Sequence, residues 1–140
     1  MSAVEPILQV EDLHVTFSTR RGPVEAVRGI GFTLMPGQTL GIVGESGSGK
    51  SVTAFAIASL LDAAGRIAKG RILFRGEDVA RYSAKKLRAL HGAAISVIFQ
   101  NPRGALNPIR TVGLQLADAL RAHRSLSDKE ARAKALELLE

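Results

Sequence analysis

Short runs of apolar residues recur along the first hundred positions and predict β-strands. Partial alternation of apolar and polar residues over 7–18 and again over 24–34, with a turn between them, predicts an antiparallel pair. Two shorter runs, 39–43 and 94–99, are typical of strands that are buried on both faces of a parallel sheet. A further strand is expected over 67–74.

Stretches with helical spacing follow and separate these strands. They predict helices over 51–61, 84–90 and 111–124. Ser127, followed three residues later by Glu130, forms a capping box that opens a last helix. This helix is expected to be still running at Glu140, which suggests a truncated reading frame or a fragment. Together the elements predict an α/β fold with a mostly parallel core sheet and flanking helices.

A glycine-rich loop joins the strand 39–43 to the helix after it, with the sequence Gly44-Glu45-Ser46-Gly47-Ser48-Gly49-Lys50-Ser51. The spacing G-x-x-x-x-G-K-[ST] between a strand and a helix is that of a phosphate-binding loop. Glycine allows the backbone angles that point successive N–H groups at phosphate oxygens, and the helix adds its positive end. Lys50 is expected to reach the β- and γ-phosphates, and the Ser51 hydroxyl to ligate Mg²⁺.

The motif therefore predicts binding of a nucleoside triphosphate with Mg²⁺. The candidate nucleotide-binding residues are Gly44, Glu45, Ser46, Gly47, Ser48, Gly49, Lys50, Ser51 and Val52. The Glu45 side chain is expected to face solvent, because a carboxylate would repel phosphate. The alternative is a Gly-Ser turn that only joins a strand to a helix, and it would leave Gly49-Lys50-Ser51 as a coincidence.

Composition changes this picture little. A chain of 140 residues with 46% hydrophobic and 23% charged residues is typical of one soluble globular domain. The absence of cysteine excludes disulfides and thiolate metal sites and fits a reducing cytosol. The net charge of +6 is uneven, since 66–140 holds 15 Lys/Arg against 7 Asp/Glu. The whole chain has only six aromatics and no basic run is interleaved with them, so a solvated helix face is favoured and no nucleic acid is expected.

The chain resembles the nucleotide-binding subunit of an ABC transporter. The loop Gly44 to Ser51 and the run Ile98-Phe99-Gln100-Asn101-Pro102 carry the resemblance. Two further runs, Leu13-His14-Val15-Thr16-Phe17 and Ala105-Leu106-Asn107-Pro108, are similar to importers of dipeptides, oligopeptides and nickel. The resemblance implies that Gln100 contacts Mg²⁺ or the attacking water, which would make it catalytic together with Lys50. It also implies that Phe17 stacks on adenine.

The same resemblance implies a partial P-loop NTPase core over 39–99, with an antiparallel β-subdomain over 7–34 and the start of a helical subdomain over 100–140. These would form one C-terminally truncated domain. The expected function is that of an ATP-binding subunit of an importer, which couples ATP binding and hydrolysis to uptake of peptides or a similar solute. Its expected partners are transmembrane permease subunits and a second ATP-binding subunit, at the cytoplasmic face of the cell membrane.

Several pieces of the family pattern are absent from these residues. No apolar strand ends in Asp-Glu, no Leu-Ser-Gly-Gly-Gln signature occurs, and His14, His91 and His123 lie in contexts unlike that of the family's switch histidine. The chain alone is therefore expected to bind nucleotide but to hydrolyse it negligibly. Two alternatives stay open at this point. One is a small P-loop kinase of the nucleoside or shikimate type, and the other is a basic nucleic-acid-binding fragment.

Overall fold

The structure is a computed structural model that describes residues 5–140, apart from the side chain of Arg103. These residues form two compact units, one ending at Leu87 and the other beginning at Arg88. The elements in chain order are β1 (Leu8–Thr19), β2 (Gly22–Leu34), α1 (Lys50–Ile57), β3 (Gly65–Phe74), β4 (Glu77–Asp78), α2 (Ala84–Leu90), α3 (Pro102–Ala105), α4 (Val112–His123) and α5 (Asp128–Glu137). Among the described residues, no helix combines the length and apolar content needed to cross a bilayer.

The first unit is built on an antiparallel sheet with the strand order β2-β1-β3-β4. The predicted antiparallel pair is confirmed, because β1 and β2 pair from Leu8 opposite Leu34 to Thr19 opposite Gly22. β1 is central and supplies the most buried side chains, Leu13 and Val15, which are fully buried together with Ile72 of β3. Helix α1 contributes its buried Thr53 and Ala56 to this unit.

The pairing register of the three long strands shifts at the same level of the sheet. The pairing of β1 shifts register after Val10 on the β2 side and after Glu11 on the β3 side. Asp12 adopts a positive φ of 44° at this bulge. On β3, a Cβ at Gly70 would overlap the carbonyl oxygens of Glu11 and Asp12, so only glycine fits there.

Helix α1 is shorter than the predicted 51–61. Ser59 adopts a positive φ of 53°, and the N–H groups of Ser59 and Leu60 donate to the carbonyl oxygens of Ala56 and Phe55. This is the Schellman arrangement that usually places glycine at the left-handed position. The serine gives no such signal in the sequence, so the helix ends four residues early.

The second unit contains a pair of helices packed through small side chains. Ala117 of α4 and Ala131 and Ala135 of α5 are buried against each other, with Leu116, Leu120 and Leu126 packed around them. The predicted capping box at Ser127 and Glu130 is confirmed. Helix α5 nevertheless ends at Glu137, with Leu138 as its C-cap, rather than running on to Glu140.

The two predicted core strands are wrong in this structure. The segment 39–43 pairs with no described strand, and Leu40, Ile42 and Val43 are 44%, 46% and 93% exposed. The segment 94–99 takes part only in a single bridge between His91 and Ile95, and Ile98 is 96% exposed. An apolar run becomes a strand only where a neighbouring strand satisfies its N–H and C=O groups, and residues 5–140 supply none to either segment. The predicted parallel sheet is therefore not formed here. The division into 7–34, 39–99 and 100–140 stays a prediction.

Candidate nucleotide-binding site

The loop 44–49 leads directly into α1, whose first residue is Lys50. Gly44, Gly47 and Gly49 have positive φ values of 157°, 81° and 90°, as the motif requires. Gly49 is also constrained by space, because a Cβ there would lie 2.5 Å from the carbonyl oxygen of Ala26 in β2. The loop therefore lies against the backbone of β2 at the point where the helix begins.

The Lys50 side chain folds back over the loop. Its Nζ donates to the carbonyl oxygens of Gly44, at 2.8 Å, and Glu45, at 2.5 Å, and to the Ser48 hydroxyl, at 3.2 Å. An ammonium group has three donors, so these contacts account for its hydrogen-bonding capacity. The cation is thereby held at the loop on which phosphate is expected to bind.

The start of α1 is favourable for an anion. No acidic residue lies in its first turn, and the N-cap residue Gly49 has no side chain to occupy the first N–H groups. Thr53 ties this turn to the loop, since its N–H and hydroxyl donate to the Gly49 carbonyl oxygen at 2.8 Å and 3.0 Å. Ser51 is exposed and Val52 is half-buried. The Ser51 hydroxyl is therefore accessible as an oxygen ligand.

A cavity of about 510 Å³ opens beside the loop within the first unit. Its apolar lining includes Val27, Ile30, Ile42 and Val43, and its polar lining includes Ser48 and Lys50. The Glu25 carboxylate and the Arg28 guanidinium, both on β2 and also lining the cavity, lie 3.9 Å apart. The loop thus borders a concave space whose lining includes the Lys50 side chain.

Two other predicted residues lie apart from the loop in the sequence. Gln100 belongs to the second unit and is exposed, one residue before Asn101. The Asn101 side chain accepts from the N–H of Gly104 at 3.4 Å and caps the short helix α3, which is not among the helices predicted from the sequence. Phe17, near the end of β1, is half-buried and packs on Gly65.

Sequence reasoning missed three contributors to this region. Thr53 anchors the helix start, the Ala26 carbonyl oxygen sets the room available at Gly49, and Gly65 supports Phe17. The role of Thr53 has a sequence signal, because it is a polar residue in an otherwise apolar stretch of the predicted helix. The other two are contacts between distant segments, for which the sequence carries no local signal.

Elsewhere the charged side chains form surface ion pairs and caps. Lys69 hydrogen-bonds Asp12 at 2.8 Å and lowers the pKa of its carboxyl, with a further contribution from His14. The Ser127 hydroxyl and N–H likewise lower the pKa of the Glu130 carboxyl. Of the 15 cations in 66–140, at least seven are in ion pairs: Lys69, Arg71, Arg81, Lys86, Arg110, Arg121 and Lys134. No group of three or more possible metal-ligating side chains occurs within 5–140.

Comparison with known proteins places this geometry in a family. The family model described as ABC transporter matches residues 27–140. The dipeptide transport ATP-binding protein DppD of Bacillus subtilis is 50% identical over 137 residues, which are 97% of this chain and 41% of that protein. The oligopeptide transport ATP-binding protein OppD of Salmonella typhimurium is 46% identical over 134 residues, covering 96% of this chain and 40% of that protein. The chain spans about two fifths of the length of these relatives.

Solved structures agree at the level of the fold. The dimeric ATP-binding cassette MJ0796, in a post-hydrolysis state with ADP and Pi, matches with a TM-score of 0.75 at 22% identity. The match covers 94% of this chain and 55% of that one. It confirms the predicted α/β fold class, a partial cassette with an antiparallel β-subdomain, although the two core strands are unpaired here. With the phosphate loop in place and the family model matching 27–140, the chain belongs to the ABC transporter family.

Proposed function

We propose that this chain carries the ATP site of an importer subunit that couples ATP binding and hydrolysis to uptake of peptides or a similar small solute. The observation that carries the proposal is the loop 44–49, which lies against β2 and is bound by the Lys50 ammonium at the start of α1. The relatives are named for dipeptide and oligopeptide transport, and these names supply the substrate class. Transport itself is a property proposed for the whole protein.

The groups on the loop fit Mg-ATP. The N–H groups of 46–51 and the start of α1 favour a polyanion, and Gly47 has open space around it. Lys50 would exchange carbonyl oxygens of the loop for β- and γ-phosphate oxygens. The exposed Ser51 hydroxyl would supply one oxygen ligand to Mg²⁺, which retains several waters. When bound, Mg-ATP supplies the phosphoryl group whose transfer to water drives transport.

Other residues have proposed roles that follow the family pattern. Phe17 offers an aromatic face for adenine, and Gln100 would contact Mg²⁺ or the attacking water. Glu45 and Val52 would border the phosphate site through their main chains, and the Glu45 carbonyl oxygen accepts from the Lys50 ammonium in the loop. Because Gln100 is exposed in a segment separate from the loop, its role rests on sequence resemblance.

The proposed partners are permease subunits and a second ATP-binding subunit. Both follow from the relatives being ATP-binding proteins of transport systems and from the dimeric state of the MJ0796 cassette. Such a subunit would act at the cytoplasmic face of a membrane. Nucleotide turnover by residues 1–140 alone should be negligible, because they contain neither the Asp-Glu strand nor the Leu-Ser-Gly-Gly-Gln signature.

The two alternatives are less well supported. A small kinase does not fit a chain of this family, in which two antiparallel strands precede the phosphate loop. The nucleic-acid alternative depends on the basic second half, where ion pairs occupy about half of the cations. Isolated surface ion pairs of this kind are typical of a solvated surface.

Calorimetric titration of ATP with Mg²⁺ into the chain tests the proposal. We expect saturable binding that Lys50→Ala abolishes and that Lys129→Ala leaves unchanged. Lys129 is an exposed lysine of α5 and serves as the matched control for loss of one positive charge. Binding that survives Lys50→Ala, or folded protein that shows no binding at millimolar ATP, would contradict the proposed site.

A further inference from the structure

The ring of Phe17 lies over the backbone of Gly65 at the start of β3. The two residues are paired across β1 and β3. A Cβ at Gly65 would lie 2.7 Å from Cε1, 3.1 Å from Cζ and 3.3 Å from Cδ1 of the ring. The ring therefore covers the space that any other residue at position 65 would fill. Gly65 is not among the glycines with positive φ, so glycine is required there for room rather than for backbone conformation.

Gly65 is in turn held by Asp62. The Asp62 Oδ1 accepts from the N–H groups of Ala64, at 2.9 Å, and Gly65, at 3.0 Å, and the Asp62 carbonyl oxygen accepts from Gly65 at 3.0 Å. On the other side, the N–H of Ser18 donates to the Ala64 carbonyl oxygen at 2.9 Å. The turn 62–65 is thus fixed both by its own aspartate and by β1.

In the chain, this turn lies between the helix that follows the phosphate loop and the strand that pairs with Phe17. It follows α1, which begins at Lys50, and it leads into β3 at the residue under the Phe17 ring. On the opposite flank, Phe17 pairs with Val24 of β2, which is 51% exposed. Val24, Phe17 and Gly65 therefore form one row across three strands. A Cβ at position 65 would lie too close to three ring atoms, so the ring would have to move from the position it holds beside glycine.

We propose that Gly65 and Asp62 are positioning residues that hold the Phe17 ring in place as a stacking support for the base of the nucleotide. This rests on the proposed function, in which Phe17 meets adenine. A flat aromatic face stacks on any base, and such stacking depends on the ring's angle and height. The phosphate contacts of the loop do not depend on either. Changes at Gly65 and Asp62 should therefore affect binding of the base and leave binding of the triphosphate intact.

The test compares Mg-ATP with inorganic tripolyphosphate plus Mg²⁺ by calorimetry on the full chain. For Gly65→Ala we expect ATP affinity to fall about tenfold, within the range for loss of one base–aromatic stack, and tripolyphosphate affinity to stay within about twofold. Asp62→Ala should act in the same direction. Asp62→Asn should restore ATP affinity, because its amide oxygen accepts the same two backbone hydrogen bonds. Gly113→Ala, at a glycine of α4 with open space around it, is the matched control.

The outcomes separate this inference from the proposed function. An equal fall for both ligands would mean that Gly65 and Asp62 act on folding alone, and no fall for either would remove their role; both results overturn the inference. If ATP and tripolyphosphate bind equally to the unaltered chain, the phosphate site stands and the base support is wrong. If neither binds, the proposed function fails. Should Gly65→Ala not fold, the Asp62→Ala and Asp62→Asn pair decides, with Phe17→Ala as reference for complete loss of stacking.

Discussion

Replacement of Gly49 by alanine tests how the phosphate loop is attached to the sheet. The residue has φ 90° and ψ 2° at the N-cap of α1. A Cβ would lie 2.5 Å from the Ala26 carbonyl oxygen and 3.3 Å from Val27 Cγ2. The oxygen is part of the β2 backbone and cannot rotate away. Either the loop or β2 must move by about half an ångström to bring the closest contact to 3.0 Å.

The size of the effect follows from two costs. A non-glycine residue in left-handed conformation costs about 1–2 kcal/mol. Forcing an extra carbon into a packed contact costs about 1–3 kcal/mol more. The expected loss in the free energy of unfolding is therefore about 2–5 kcal/mol, a large share of the 5–15 kcal/mol typical of a folded domain. Gly47 provides the control, since it also has positive φ but no atom within 4 Å of its virtual Cβ. Gly47→Ala should cost only the first part, about 1–2 kcal/mol.

Urea unfolding of the two variants, followed by circular dichroism, measures both costs. The difference between them, about 1–3 kcal/mol, reports the contact between the loop and β2. Gly49→Ala should also weaken ATP binding, because the displaced loop no longer aligns its N–H groups. Equal urea midpoints for Gly49→Ala and Gly47→Ala would refute the argument that the loop is anchored on β2.

Three further results are expected. Asp12→Asn keeps the positive φ of the bulge, which asparagine tolerates, but removes the charge that Lys69 stabilises. Because the pKa of the Asp12 carboxyl is lowered, its stabilising contribution is present above the ordinary value of 3.8 and is lost as pH falls through the folded value. The stability gap between wild type and variant in urea titrations should close in acid, and a gap independent of pH would contradict this. Ser127→Ala removes the cap of α5 and should cost about 1 kcal/mol in urea unfolding, whereas no change would exclude the capping box as a stabilising element. Phosphate release from ATP should be negligible, and turnover abolished by Lys50→Ala would show that the chain has a complete catalytic site.

Local signals explain the parts of the fold that the sequence predicts correctly. The β1–β2 pair follows from alternation around a turn, the helical spacing over 84–90 matches the observed bounds of α2, and Ser127 with Glu130 marks a helix start. The predicted strand over 39–43 is wrong, because apolar character indicates burial only if a partner strand is present. Helix α3 was missed although an asparagine followed by proline is a recognised helix start, as N-cap and first residue.

The residues of the candidate site also fall into those that local sequence signals predict and those that they do not. The glycine conformations of the loop from Gly44 to Ser51 and the helix start after it are predictable, because they depend on the spacing of neighbouring residues, and the phosphate role of the loop stays a prediction. The approach of Ala26 to Gly49 and of Phe17 to Gly65 is not predictable, because each contact joins segments more than twenty residues apart. Such contacts are set by how β2 and β3 pack on β1. These contacts determine which glycines tolerate a side chain, and the glycine-rich motif alone does not reveal this.

The most direct test of the account measures the free energy of unfolding with and without Mg-ATP. At a hundredfold excess over the dissociation constant, a ligand that binds only the folded chain adds about 2.7 kcal/mol. Wild-type protein should gain about this amount at saturating Mg-ATP, and Lys50→Ala protein should gain nothing at the same concentration. An equal gain in both proteins, or no gain in folded wild-type protein at millimolar Mg-ATP, would contradict a phosphate site built on Lys50.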